Sequence, residues 1–240
     1  MELNLISAGA AQGVVTALAE ELKAESGTEI KATFGAVGAM RDKLITGAEC
    51  DLIILTRAQL DELATMDYVL PETIADLGRV RTGIAVCLGD TIPDVSTAAA
   101  LRASLLAANG IYFPDPLKAT AGIHFANVLE RLGISAELAP RIHTYPNGAT
   151  AMSAMVEAKA HAEHAHLLGC TQITEINNTQ GAVLVRAMPK EFELATMYSV
   201  GICVGAGSTA ASISASKRFA AMLTGEGSRA LRAKAGFEFA

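Results

Sequence analysis

The chain has 240 residues, with 19 Lys and Arg against 25 Asp and Glu, a formal net charge of −6. That balance excludes a basic nucleic-acid surface or a binder of anionic membranes. Hydrophobic residues make up 51% and charged residues 18%, far from the composition of disorder and enough for one large core or two smaller lobes.

Residues 3–7 predict a strand, followed by Gly9 and a helix over 12–26. Residues 30–34 predict a second strand, the turn Gly35-Ala-Val-Gly38 leads into a helix over 39–46, and 51–55 predict a third strand. Strands alternating with helices point to a parallel sheet with right-handed crossovers. A change is expected over 78–83, where Arg79 and Arg81 precede a buried strand over 84–88 and alternate on a hinge strand, most simply in structural ion pairs. A second alternating unit follows: a helix over 96–108 with Ser96 as its N-cap, a strand over 110–113, helices over 122–132 and 150–161, and strands over 166–171 and 182–185. After Pro189 the chain returns through an apolar stretch over 196–204 and closes with an amphipathic helix around 215–223. The expected lobes are 1–81 with 198–240, and 82–197.

Several common signatures are missing. No GxGxxG follows the first strand and no GxxxxGK[ST] occurs, so dinucleotide and P-loop binding lose their usual signals. Cys50, Cys87, Cys170 and Cys203 form no CxxC pair, which argues against a disulfide framework or structural zinc; Cys87 and Cys203 read as small buried hydrophobes. The segment His161-Ala-Glu-His-Ala-His166 has spacings that do not share one helix face, so it reads as a polar loop rather than a metal site. The uncharged run over 194–216 is diluted by Gly201, Gly205, Gly207, Ser208, Ser212, Ser214 and Ser216, and reads as strand, turn and helix start rather than a membrane span. The first nine residues carry no secretory pattern, so the expectation is a cytoplasmic chain, or a periplasmic one if a leader was trimmed.

The chemistry is expected at strand-to-helix junctions, because helix N-termini present unpaired amides and partial positive charge to an anion. Four such junctions are visible: Ser7-Ala-Gly-Ala-Ala-Gln12, Gly35-Ala-Val-Gly-Ala-Met-Arg41, Asp115-Pro-Leu-Lys-Ala-Thr-Ala-Gly122 and Tyr145-Pro-Asn-Gly-Ala-Thr150. Small residues at all four allow close backbone approach. Arg57, after the third strand, stands at the carboxyl edge where open α/β sheets bind ligands.

The stretches Asn4-Leu-Ile-Ser-Ala-Gly-Ala10, Thr33-Phe-Gly-Ala-Val-Gly38, Gly47-Ala-Glu-Cys-Asp-Leu-Ile-Ile54, Asp115-Pro-Leu-Lys-Ala-Thr-Ala-Gly-Ile123, Ala149-Thr-Ala-Met152 and Leu168-Gly-Cys-Thr-Gln172 together resemble the molybdate-binding branch of the type II periplasmic solute-binding proteins. The resemblance implies an α/β fold of two lobes, each a mostly parallel sheet flanked by helices, joined by a hinge around an interlobe ligand cleft. It places the family's first hydroxyl ligand at Ala10, followed by Ala11 and Gln12, and the family's serine run at Ala36, Val37 and Gly38. It maps backbone contacts to Thr120, Ala121 and Gly148, and the family's late tyrosine to Gln172.

Most side-chain hydroxyls of an oxoanion site are thus absent, and a desolvated tetrahedral dianion needs many donors. Amides around Gly9, Gly38 and Ala39 remain, with Gln12, Arg41, Arg57, Lys118, Thr120, Asn147, Thr150 and Gln172 as side-chain donors. Separated anion sockets suit a small di- or tricarboxylate. The expected function is binding of such an anion, with a transporter permease as partner if the chain is exported.

The resembled branch also includes aconitate-isomerase-like enzymes. The alternative is therefore a cofactor-independent isomerase, with Lys118 or His124 moving the proton. Each also has an ordinary role open to it, His124 as a satisfied helix residue and Lys118 as a solvated charge or anion donor. A sensor domain is a third reading. No metal, no cofactor, no nucleic acid and no membrane insertion are expected.

Overall fold

In the computed structural model the described residues are 1–162, 164–205 and 208–239. Glu163 of the histidine-rich segment and Gly207 of the uncharged run lie outside them. In chain order the first elements are β1 (Glu2–Ala8), α1 (Gln12–Ser26), β2 (Glu29–Gly35), α2 (Val37–Ile45), β3 (Leu52–Thr56), α3 (Arg57–Thr65) and β4 (Ala75–Cys87). Next come α4 (Ala98–Ala107), β5 (Gly110–Pro114), α5 (Thr120–Arg131), α6 (Ser135–Leu138), β6 (Ile142–Tyr145), α7 (Gly148–His161) and β7 (Leu167–Gln172). The chain ends with α8 (Ile173–Asn178), β8 (Ala182–Ala187), β9 (Ala195–Ile202), α9 (Ala210–Thr224) and α10 (Arg229–Ala235). Among the described residues no helix is long and apolar enough to cross a membrane.

Two compact units divide the chain, Met1–Val80 with Thr196–Ala240, and Arg81–Ala195. In the first, β1 pairs in parallel with β2 and β3, and β3 pairs antiparallel with β9. Residues 52–55 of β3 are buried throughout, as expected of a strand covered on both faces. Helix α1 buries Val14, Val15, Leu18 and Leu22, a stripe at i, i+1, i+4 and i+8 that needs a sheet to cover it.

The second unit shows the period-2 rule directly. β4 pairs antiparallel with β7 and β8, while β5 runs parallel to β6 and β7. Ile84, Val86, Ile111, Phe113, Leu168 and Cys170 point into one core with Leu101 and Leu105 of α4 and Phe125, Val128 and Leu129 of α5. The alternate residues Ala85, Cys87, Tyr112 and Leu167 point the other way, onto Ala151, Met152 and Met155 of α7 and Ile176 of α8. Successive side chains on opposite faces thus fill two layers from one set of strands.

The division between units falls at Val80 and Arg81, within the expected 78–83, inside one continuous strand, β4, where the Arg79 amide and carbonyl pair with Glu238 and Arg81 forms an ion pair with Glu193 at 3.5 Å. Several local expectations are corrected. Ser96 does not cap α4; Thr97 does, accepting from the Ala100 amide, while the Ser96 amide is held by Asp94. The last long helix starts at Ala210 rather than near 215, behind a capping box of Thr209 and Ser212. Helix α3, with buried Leu60 and Leu63, fills a stretch that carried no expectation. The short elements α6, β6, α8 and α10 were likewise not foreseen, being too brief to show a period.

Candidate functional site

In the first unit Ala8 at the end of β1 lies beside Gly35 at the end of β2, so the two following helices begin side by side. A 3-10 turn, Gly9–Ala11, leads into α1, and neither the turn nor the helix has a side-chain cap. Gly9, Ala10 and Ala11 are buried and Gln12 opens α1 half-buried. Helix α2 begins behind Ala36, also without a side-chain cap, with Gly38 and Ala39 in its first turn. An Ala or Gly there cannot fold back onto the amides, so they keep their donor capacity for something else.

In the second unit, parallel pairing puts the ends of β5 and β6 together, Pro114 beside Tyr145, with β7 on the other side of β5. The Asp115 carboxylate takes the Leu117 and Lys118 amides at 2.7 and 3.2 Å, which shapes the turn. Helix α5 then starts behind Ala119 with no side-chain cap, its first turn being Thr120, Ala121 and Gly122. Glycine is required at 122, since a Cβ would lie 2.2 Å from the Asp115 carbonyl and 2.3 Å from that of Pro114.

The fourth junction is built differently. Asn147 caps α7, accepting from the Thr150 amide and hydroxyl, both at 2.9 Å. The Glu175 carboxylate, fully enclosed on α8, receives the Thr171 hydroxyl at 2.5 Å and the backbone amides of Gly148, Ala149 and Gln172. Burial pushes its pKa up, and those hydrogen bonds oppose the shift. A Cβ on Gly148 would meet Thr171 Oγ1 at 1.9 Å and Glu175 Oε2 at 2.0 Å, so the carboxylate and this glycine go together. Asn147, Gly148 and Thr150, expected as ligand contacts, therefore already hold partners within the chain.

Gln172 ends β7 at 2% exposure, and both its side-chain oxygen and nitrogen lack hydrogen-bond partners. Thr82, paired with it across β4, and Thr174, two residues on, also bury hydroxyls without partners. Buried polar atoms are almost always satisfied, so these three side chains form a group with unmet hydrogen-bonding capacity. Thr82, Thr174 and Glu175 were missed from sequence, where nothing distinguishes them from ordinary strand and helix residues.

The charged expectations fare less well. Arg41 stands beyond the first turn of α2 and pairs with Glu62 at 2.6 Å. Arg57, directly after β3, opens α3 and is held by Asp61 at 2.9 Å and Asp76 at 3.3 Å. His124 Nε2 lies 2.7 Å from the Phe192 carbonyl, which can only accept, so that nitrogen carries a proton and anchors α5. Lys118 sits exposed in the turn before α5. Among the described residues no group of three or more His, Cys, Asp or Glu is arranged to hold a metal ion. A cavity of about 250 Å³ lined by Val86, Asp90, Ser104, His166 and Leu167 lies at the start of β7, the edge opposite Gln172.

The profile of the family described as bacterial extracellular solute-binding protein matches residues 3–238. An aconitate isomerase from a Pseudomonas species is 24% identical over 205 residues, 82% of this chain and 74% of that protein. The periplasmic molybdate-binding protein of Azotobacter vinelandii superposes with a TM-score of 0.70 at 17% identity, covering 99% of each chain. The sulfate-binding protein of Mycobacterium tuberculosis gives 0.65 at 15%, covering 99% of this chain and 86% of its own. The mixed α/β architecture is that of two-lobed periplasmic solute-binding domains, and the chain belongs to the bacterial extracellular solute-binding protein family.

Proposed function

We propose that this protein binds a small organic di- or tricarboxylate, with the uncapped helix starts within each unit, those of α1 and α2 in the first and that of α5 in the second, as candidate carboxylate sockets. The observation that carries the reading is the set of three helix starts without side-chain caps, lined by Ala, Gly and Val with Thr120 at α5. Carboxylates match neutral amide cradles, whereas a bare tetrahedral dianion asks for more donors than backbone alone supplies. Gln172, with a donor and an acceptor both unpartnered, suits a hydroxyl or a protonated carboxyl. As a solute-binding protein its natural macromolecular partner is a transporter permease.

The test is a thermal-shift panel of citrate, cis- and trans-aconitate, smaller dicarboxylates, molybdate and sulfate. A carboxylate is expected to raise the Tm, and stabilisation by molybdate or sulfate alone would overturn the assignment. Gln172→Leu is expected to weaken carboxylate binding at least tenfold, about 1.4 kcal/mol, without destabilising the free protein. Ala10→Ser, which restores a hydroxyl where the resembled family has one, is expected to raise molybdate affinity.

The similarity to an aconitate isomerase favours a second reading, proton transfer on an unsaturated tricarboxylate. Lys118 is its better candidate, since His124 is committed to Phe192. Proton NMR of aconitate in D2O with the protein separates the two: isomer formation or deuterium uptake abolished by Lys118→Ala supports the enzyme, and an unchanged bound ligand supports the receptor.

A further inference from the structure

Cys50 lies just before β3 and Cys203 just after β9, strands that pair antiparallel with Leu52 opposite Ile202. The Cys203 amide donates to the Asp51 carbonyl at 2.9 Å, which holds the two segments together. Their sulfurs are 3.4 Å apart, with the Cys203 thiol donating to Cys50 and the Cys50 thiol donating to the Leu52 carbonyl. Both are free thiols, Cys203 buried and Cys50 partly exposed. Cys87 and Cys170, by contrast, are buried in different cores of the other unit.

We propose that Cys50 and Cys203 form a reversible intrachain disulfide. Disulfide sulfurs sit near 2.05 Å, so closure asks for a movement of only about 1.4 Å, within reach of small side-chain rotations. Cys50, the accessible member, attacks as thiolate on a low-molecular-weight disulfide and expels one thiolate. Cys203 then loses its proton and attacks the Cys50 sulfur, forming the protein S–S bond and expelling the second thiolate. Two protons and two electrons leave the cysteine pair and reduce one small disulfide to two thiols. The hydrogen bond to Cys50, with burial, holds the Cys203 thiol well above its ordinary pKa, which fits the slower, resolving role.

The bond would join positions 153 apart, so the closed loop contains the whole of the second unit. Cross-links across such long loops restrict the unfolded chain most. Equilibration of the full chain with oxidised glutathione, followed by non-reducing peptide mapping, is expected to yield one linked peptide pair containing Cys50 and Cys203, lighter by two hydrogens than the separate peptides. The oxidised protein is expected to melt about 5–15 °C above the reduced one. Dithiothreitol should remove that gain, and Cys50→Ser should never show it. Because Cys203→Ser replaces a buried residue, Cys50→Ser is the informative variant. A stable glutathione adduct on Cys50 alone, two freely titratable thiols after oxidation, or an equal rise in Cys50→Ser would each overturn the proposal.

Discussion

The starts of α5 and α7 lie at the ends of neighbouring parallel strands, yet they treat their amides in opposite ways. Helix α7 spends its first three amides on Asn147 and Glu175, the second of these a carboxylate brought from another helix. Helix α5 begins behind an alanine and spends none on side chains, as do α2 and the turn leading into α1. A helix that supplies its own anion is stabilised, and one that does not keeps its field for a ligand. At α7 the Glu175 carboxylate occupies the kind of amide cradle that the proposal assigns to a ligand at the other three starts.

The severest way to break this contrast is Gly148→Ala. The added Cβ would collide with the Thr171 hydroxyl and the Glu175 carboxylate, so a loss of about 4 kcal/mol or more is expected in urea denaturation. Glu175→Gln keeps the shape but presents an NH2 group to amides that need an acceptor, and should cost about 2–3 kcal/mol. This variant also has a pH signature. Because burial raises the Glu175 pKa in the folded state, its contribution is fullest below its ordinary value of 4.5 and declines as pH rises through the raised folded-state pKa. The gap between wild type and Glu175→Gln should therefore narrow as pH increases from 4.5, and a gap that widens would contradict the shift.

Asn147→Ala removes an N-cap and is expected to cost about 1 kcal/mol by the same measurement. The smallest change sharpens the comparison from the other side. Ala36 occupies the N-cap of α2 in extended backbone, φ −62° and ψ 143°, where a capping residue fits. Ala36→Asp should leave stability unchanged or raise it by about 0.5 kcal/mol, while weakening carboxylate binding at least tenfold in calorimetry, since the new carboxylate takes the amides first. Unchanged affinity would remove α2 from the site.

Much of the fold was legible because its long elements carry strong local patterns. The helix over 12–26 coincides with α1, and the strands expected near 3–7, 30–34, 51–55 and 110–113 all form. The alanine and glycine junctions were legible for the same reason, since a residue without a capping oxygen leaves amides open wherever the helix ends up. Charge was harder to read. Arg41 and Arg57 look like ligand donors in the sequence, yet Glu62 and Asp76 pair with them from other elements at separations no spacing rule covers, and only Asp61, four residues after Arg57 on the same helix, was open to such a rule.

The sequence by itself determined most of the longer strands and helices, because hydrophobic period and turn residues act over a few neighbours. It also determined that the starts of α1, α2 and α5 would carry no capping side chain, since Ala stands at each N-cap. The tertiary structure alone brought Glu175 onto α7, beside the local cap Asn147, and left α1, α2 and α5 without such a carboxylate. It alone set Cys203 beside Cys50 and left Gln172 buried without a hydrogen bond. These are meetings of residues distant in the chain or facing a shared interior, and only packing of the whole unit fixes them.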